Sequence, residues 1–264
     1  MKPIFHFSRL CLMAATAAVL FTSCKKDKDE PGPTPPPASA TKLKKIAMGN
    51  EVMEFGYGND GTLQTVKANN DLTGGGVPTT FNITYAADKK ISELKATGGP
   101  RIVAHYSNDQ LTSADMFDNN NTQIATIHYE YLNSFLQSAV VEIQDIEALK
   151  FSFTNDASGN VSKTTVWSFN PLTDQLEVTG STDYQYDAKT NPMHVHKNLM
   201  YLLLQNISKN NITKETEHDD KNAVTETIEY AYTYNSHNLP QSAAVKTTTA
   251  GSQPVNSTIV FSYQ

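Results

Sequence analysis

The sequence predicts an all-β fold, an antiparallel meander of repeated hairpins with one amphipathic helix at about residues 193–208. Three observations predict it. An aromatic-x-aromatic or apolar-x-Tyr pair, then a polar turn, then an apolar restart recurs from residue 42 to residue 264. The turns are built from Asn, Asp and Gly, which tolerate the left-handed backbone angles that tight hairpins need. Stretches such as 161–167 (VSKTTVW) and 243–249 (AAVKTTT) are rich in Val and Thr, whose branched side chains suit strands.

The first unit runs Phe55-Gly56-Tyr57, Asn59-Asp60-Gly61, Leu63, and the second Ile83-Thr84-Tyr85, Asp88, Ile91. Tyr106 with Asn108-Asp109 and Leu111 follows, then Tyr129-Glu130-Tyr131 with Asn133 and Leu136, then Phe151-Ser152-Phe153 with Asn155-Asp156 and Val161. Later units are Tyr184-Gln185-Tyr186 with Asp187 and Tyr232-Thr233-Tyr234 with Asn235-Ser236 and Leu239, and Phe261-Ser262-Tyr263 is a half-unit. Counted on the second aromatic, most steps are long enough for two strands. Alternation places the paired rings on one face of each strand. The long step from Tyr186 to Tyr234 holds the helix, where Val195, Leu199, Leu202, Leu203 and Ile207 form a stripe between Pro192 and Lys209-Asn210-Asn211. A lone helix among strands is expected to cap one end of a barrel or cover a sheet.

The amino terminus carries an address. Lys2 and Arg9 precede an apolar run from Leu10 to Phe21 and the small residues Thr22 and Ser23, the three-part pattern of a signal peptide over 1–23. The run is shorter than the roughly 20 apolar residues of a membrane span. Phe21-Thr22-Ser23-Cys24 resembles a bacterial lipobox, with Phe21 in place of the usual Leu, and the resemblance implies cleavage before Cys24 and acylation of that residue. Several acyl chains hold a protein firmly where one does not, since each buried methylene adds about 0.8 kcal/mol. The resemblance thus implies Cys24 as the lipidation site, with membrane lipid the first expected partner. Lys25 and the acidic residues Asp27, Asp29 and Glu30 resemble the start of surface-exported lipoproteins, so an outer-membrane anchor with cell-surface display is expected over the periplasmic face. Residues 24–41 then comprise the lipidated cysteine and a Pro-rich tether (EPGPTPPPASAT at 30–41), extended by about 3.1 Å per residue where polyproline geometry holds. Residues 42–264 form a single β-domain.

Composition removes whole classes of function. Loss of residues 1–23 takes Lys2 and Arg9, which moves the formal net charge from -6 to -8. With only short basic pairs such as Lys44-Lys45 and Lys89-Lys90, the chain lacks a nucleic-acid footprint. Cys11 lies within the signal, so a chain lipidated at Cys24 has no thiol nucleophile, disulfide or cysteine metal site.

The pattern aromatic-x-Tyr-(Asn/Asp)-x-x-x-Leu, as in YTYNSHNLP at 232–240 and YQYDAKTNP at 184–192, resembles the tyrosine–aspartate (YD) repeats of large bacterial surface and toxin-shell proteins. The layout of lipobox, stalk, meander, YxYDxxxNP-helix segment, KNNIT restart at 209–213 and terminal FSY looks like a family of Bacteroidota lipoproteins of unknown function. That resemblance implies a porin-like β-barrel, closed or nearly closed, over about 42–264, and transfers no catalytic residues. Most strands carry Lys, Glu, Thr, Ser or Asn, unlike the apolar belt of a bilayer-embedded barrel, which favours a tethered barrel facing water.

Chemistry is sparse. His194 and His196 could meet a metal only on extended backbone, because helical residues two apart diverge. Glu217-His218-Asp219-Asp220 offers ligand atoms but reads as a hairpin turn, and Asn59-Asp60-Gly61 and Asn155-Asp156 lack the spacing of a calcium loop. No nucleophile elbow, phosphate loop or zinc-protease helix is present. No cofactor, metal site or catalytic residue is expected. Trp167 and the Tyr/Phe ladder are expected to supply core. The favoured reading is a non-catalytic, membrane-anchored module that binds a small apolar molecule or glycan, in an aromatic-lined lumen or cleft below the His194–Ser208 helix, or a protein partner of unknown identity. The alternative is a secreted hydrolase acting on polysaccharide through paired inward carboxylates.

Overall fold

Each strand pairs antiparallel with the next, and the first pairs with the last, so the meander closes on itself as a barrel of sixteen strands among the described residues. The computed structural model describes residues 41–69, 78–205 and 208–264. The signal segment, Cys24 and nearly all of the tether lie outside the described residues. In chain order the strands are β1 (Leu43–Met48), β2 (Glu51–Tyr57), β3 (Leu63–Ala68), β4 (Thr79–Tyr85), β5 (Ile91–Ala96), β6 (Arg101–Ser107), β7 (Gln110–Phe117) and β8 (Gln123–Leu132). Then follow β9 (Phe135–Ile143), β10 (Ile146–Asn155), β11 (Val161–Asn170), β12 (Gln175–Thr190), β13 (Asn210–Asp219), β14 (Val224–Tyr234), β15 (Pro240–Thr249) and β16 (Val255–Tyr263).

Connections alternate between two ends of the barrel. One end carries the turns of the aromatic repeat, the helix, the start of β1 and the end of β16, where Lys42 and Gln264 exchange backbone hydrogen bonds of 3.1 and 2.9 Å. We call this the helix rim. The turn residues act as expected: Asp60 Oδ1 accepts the Thr62 amide, Asp156 Oδ1 those of Ser158 and Asn160, and Asn235 Oδ1 those of His237 and Leu239. Asn108-Asp109 and Asn133-Ser134 both sit at positive φ, the geometry of a two-residue hairpin turn.

The helix between β12 and β13 is shorter than 193–208. It consists of a 3-10 turn at His194–His196 and α1 at Lys197–Leu202. It stops because Leu204 turns left-handed at φ 55°, which lets the Leu204 amide reach Tyr201 O and the Gln205 amide reach Met200 O. This crossed pair of bonds is a Schellman ending. Ile207 lies outside the described residues.

Alternation sorts the wall into two chemistries. Inward side chains such as Phe55, Ile83, Leu94, Ile127, Ala139 and Phe151 join Leu199, Met200 and Leu202 of α1 in one buried cluster. A second cluster gathers Met48, Ile228, Tyr230, Ala243, Val245 and Ile259. The opposite face carries Lys67, Glu93, Asp115, His128, Lys163, Asp183 and Lys246 at the intervening positions. Apolar inside and charged outside is the reverse of a barrel embedded in lipid.

The repeated tyrosine explains how successive hairpins hold together at the helix rim. Each repeat ends in a register shift at the tyrosine, as at Gly56/Tyr57, Thr84/Tyr85, Glu130/Tyr131 and Thr233/Tyr234. Such a bulge re-aims the side chain. The phenol of Tyr57 then donates to Leu43 O (2.9 Å), Tyr85 to Leu63 O (2.7 Å), Tyr186 to Val161 O (2.6 Å) and Tyr263 to Pro240 O (2.8 Å). Every acceptor sits at the start of an earlier strand and has its own hairpin between it and the tyrosine. In the fifth unit the bulge falls at Thr154/Asn155, so the equivalent position is Asn155 and not Phe153. Asn155 Nδ2 donates to Leu136 O at 3.2 Å and replaces the missing phenol.

Phenylalanine at Tyr85 or Tyr263 leaves a strand-start carbonyl without its donor, and each substitution is expected to lower unfolding free energy by about 1 kcal/mol. Tyr106 is the control, because its hydroxyl is buried without a hydrogen-bond partner among the described residues. Tyr106→Phe should be neutral or stabilising in the same urea titration. Equal losses at all three positions would refute this role for the phenol-to-carbonyl bonds.

Candidate functional site

The inner wall changes character between β11 and β15. Reading straight across the strands, Thr164 of β11 faces Thr182, Thr182 faces Glu217, Glu217 faces Glu226, and Glu226 faces Thr249. One row along, Tyr184 faces Glu215 and Glu215 faces Ile228. This is a polar stripe on a wall that is apolar elsewhere. Directly opposed residues place their Cβ atoms about 5 Å apart, so Glu217 and Glu226 lie side by side.

Glu215 is the deepest of these acids. It is 7% exposed, and its Oε1 accepts the Tyr230 hydroxyl at 2.7 Å. Desolvation pushes its carboxyl up to about 7, reinforced by Glu217 and Glu226 and opposed by the Tyr230 bond. Glu226 is equally buried, and its Oε2 accepts Thr249 Oγ1 at 2.8 Å. Among the described residues no ion pair joins Glu215 or Glu226 to a base.

The residues singled out in the sequence disperse. His196 turns inward, stacks on Phe55 (6.4 Å, 10°) and sits 3.2 Å from Tyr57 Oη through Nε2. Tyr57 already gives its only proton to Leu43 O, so Nε2–H is the donor to the phenol oxygen. Burial holds the His196 imidazole down to about 4, hence neutral. His194 does not join it, and no cluster of three metal-capable side chains occurs among the described residues. Glu217, His218 and Asp219 also diverge: Glu217 lies on the inner wall, His218 Nε2 meets Asp183 on the outer face at 2.9 Å, and Asp219 caps the Lys221 and Ala223 amides. Asp220 is exposed. Only Asp219 and Asp220 belong to the turn that the sequence suggested for all four.

One further expectation changes. Trp167 is not core: it faces Lys150 across the ladder while its neighbour Val166 faces Phe151, so the indole lies on the outer side and donates to Ser152 Oγ at 3.4 Å. Below the helix, wall and helix side chains pack together, with Tyr129 Oη donating to Tyr201 O at 3.0 Å. Sequence reasoning missed Glu215 and Glu226. Strand alternation from the inward Tyr230 and Tyr232 marks Glu226 as inward, a signal present in the sequence once the strand is placed.

The architecture defines the class: a closed, porin-like β-barrel with its helix on one rim. The solved structures that share it include a porin-like protein from Bacteroides uniformis (TM-score 0.56, 15% identity, 84% of this chain and 96% of that one) and another from Bacteroides vulgatus (0.55, 13%, 85% and 99%). At such identities the likeness is one of fold. No protein-family model and no curated protein matches the chain.

The sign of the Glu215 effect follows from its raised folded value. Below the unfolded value of about 4.5 both states are protonated and there is no cost; as pH rises through about 7 the folded state must bury a charge. Stability should therefore fall between pH 5 and pH 8 by up to about 3 kcal/mol from this residue. Glu215→Gln should flatten that slope and be the more stable protein at pH 8 by thermal melting. A wild-type melting temperature that rises over this range would contradict the assignment.

Proposed function

We propose that this chain is an outer-membrane lipoprotein, cleaved after residue 23 and acylated at Cys24, whose barrel serves without catalysis as a ligand-binding or surface interaction module. Residues 24–41 tether it. The observation that carries this reading is the polarity of the wall, apolar within and charged without, which suits a barrel that faces water and needs a separate anchor to remain at a membrane. The Leu10–Phe21 run directs export before it is removed, and the acylated Cys24 supplies that anchor. The barrel's partner is a glycan, a small apolar molecule or a protein.

A second reading has one specific support, the inward pair Glu217 and Glu226 beside the poorly ionised Glu215. A pair of neighbouring carboxyls across a sugar-binding cleft is what glycoside hydrolysis requires. Sugar release from envelope or dietary polysaccharide by the wild type, lost in Glu217→Gln and Glu226→Gln, would establish this reading over the first.

Fractionation tests the anchor. The wild type should sediment with membranes and incorporate labelled palmitate, and Cys24→Ala should do neither. Protease added to intact cells should shave the wild-type barrel. Membrane retention of the Cys24→Ala chain would refute the lipid anchor, and protection from protease would place the barrel on the periplasmic side.

A further inference from the structure

The β11–β12 hairpin is longer than its surroundings. Its ladder runs out to Asn170 facing Gln175, but β10 leaves β11 at Ser168, and β13 meets β12 only from Gly180 onward. Residues 175–179 of β12 thus pair on one side alone, and alternate backbone N–H and C=O groups on the other side face outward. An unpaired edge of this kind is a template for an added strand.

The two faces of the projecting hairpin differ. On one, Trp167 faces Val178 and Phe169 faces Leu176, with Leu172 at the tip 93% exposed. On the other, Ser168 faces Glu177 and Asn170 faces Gln175. Glu177 is held as a charged acceptor by Asn170 Nδ2 and Thr173 Oγ1, both at 2.8 Å. Asp174 and Asp220 are exposed beside the edge, and Asp219 faces Gly180 where pairing with β13 begins.

We propose that the free edge of β12 at residues 175–179 is a docking site for an extended segment of a partner protein in which apolar and basic residues alternate. Its backbone would pair with the edge, its apolar side chains would continue the Leu176/Val178 face, and its Lys or Arg side chains would meet Glu177 and the flanking aspartates. Main-chain pairing supplies affinity in such strand addition, and alternate side chains supply selectivity. The charge excludes a second copy as the natural occupant, because self-pairing across a two-fold axis gathers Asp174 and Glu177 of both chains and like charges repel across a ladder. This proposal rests on the surface-module reading and names its partner chemistry.

Trp167 is the sole tryptophan of the chain, so its emission reports this face directly. The full-length lipoprotein in detergent would be titrated with a blocked eight-residue peptide alternating Val and Lys, with a Val/Glu peptide, and with the Val/Lys peptide interrupted by a central proline. The expected result is a saturable emission shift with the Val/Lys peptide and at least about tenfold weaker binding of the other two. Glu177→Lys should invert the charge preference, and Leu176→Thr should weaken the Val/Lys peptide without inverting anything. Absence of a saturable shift, or equal binding of all three peptides, would overturn the proposal. So would concentration-dependent dimerisation in sedimentation that competes with the peptide, which would assign the edge to a second copy. Failure here with Cys24-dependent membrane retention intact removes this partner class and leaves the anchored module standing. Peptide binding by a chain that Cys24→Ala fails to release would do the opposite.

Discussion

The barrel depends on the phenol-to-carbonyl bond that ties four of the repeats back across a hairpin. A sheet of short strands closed into a ring must hold its register at the ends, where ladder hydrogen bonds run out and strand-start carbonyls lose their partners. Tyrosine answers this because it combines a long apolar body, which packs inward, with a donor at its tip. The bulge that precedes it turns the ring toward the rim. Tyr57, Tyr85, Tyr186 and Tyr263 use the same geometry at four places around the ring, and Asn155 reproduces it with an amide. The bond from Tyr57 to Leu43 secures the point at which the chain enters the barrel, and His196 adds a contact from the helix segment to the same phenol.

Two places break the rule of apolar within and polar without, and both are the functional candidates. The Glu215–Glu217–Glu226 patch puts carboxyls on the inner wall, with hydroxyls of Tyr230 and Thr249 as partners for two of them. The β11–β12 hairpin puts Trp167, Phe169, Leu176 and Val178 on the outer side beyond the neighbouring strands. Departures from otherwise consistent patterning are where function is expected to concentrate. They make opposite demands, since Glu215 weakens the wall as pH rises whereas the hairpin leaves area available for a partner.

Much of this was legible from residue types. The Asn/Asp turns, the alternating rings and the helical stripe point to a meander with one helix, and the outer Lys, Glu and Thr positions already argue against a lipid-facing wall. Other features were not. Phe153 stands where a tyrosine is expected by spacing, but only the register reveals that Asn155 holds the equivalent place. Trp167 looks like core because a large aromatic in a Val/Thr strand usually is, and its outward side follows from a ladder partner, Lys150, that is distant in sequence. The helix stripe extends to Ile207, whereas Leu204 adopts a left-handed angle that its side chain does not foretell.

By itself the sequence determined the order of strands and turns, the single helix and the charge balance, because these depend on side-chain period and local backbone preference. Tertiary structure decided how many strands form the ring and that β1 meets β16, since closure is a property of the whole set of pairings. It also decided which carboxylates share the inner wall and which edge is left open. Glu217 and Glu226 become neighbours, and residues 175–179 lose a partner, only through the lengths at which adjacent strands end.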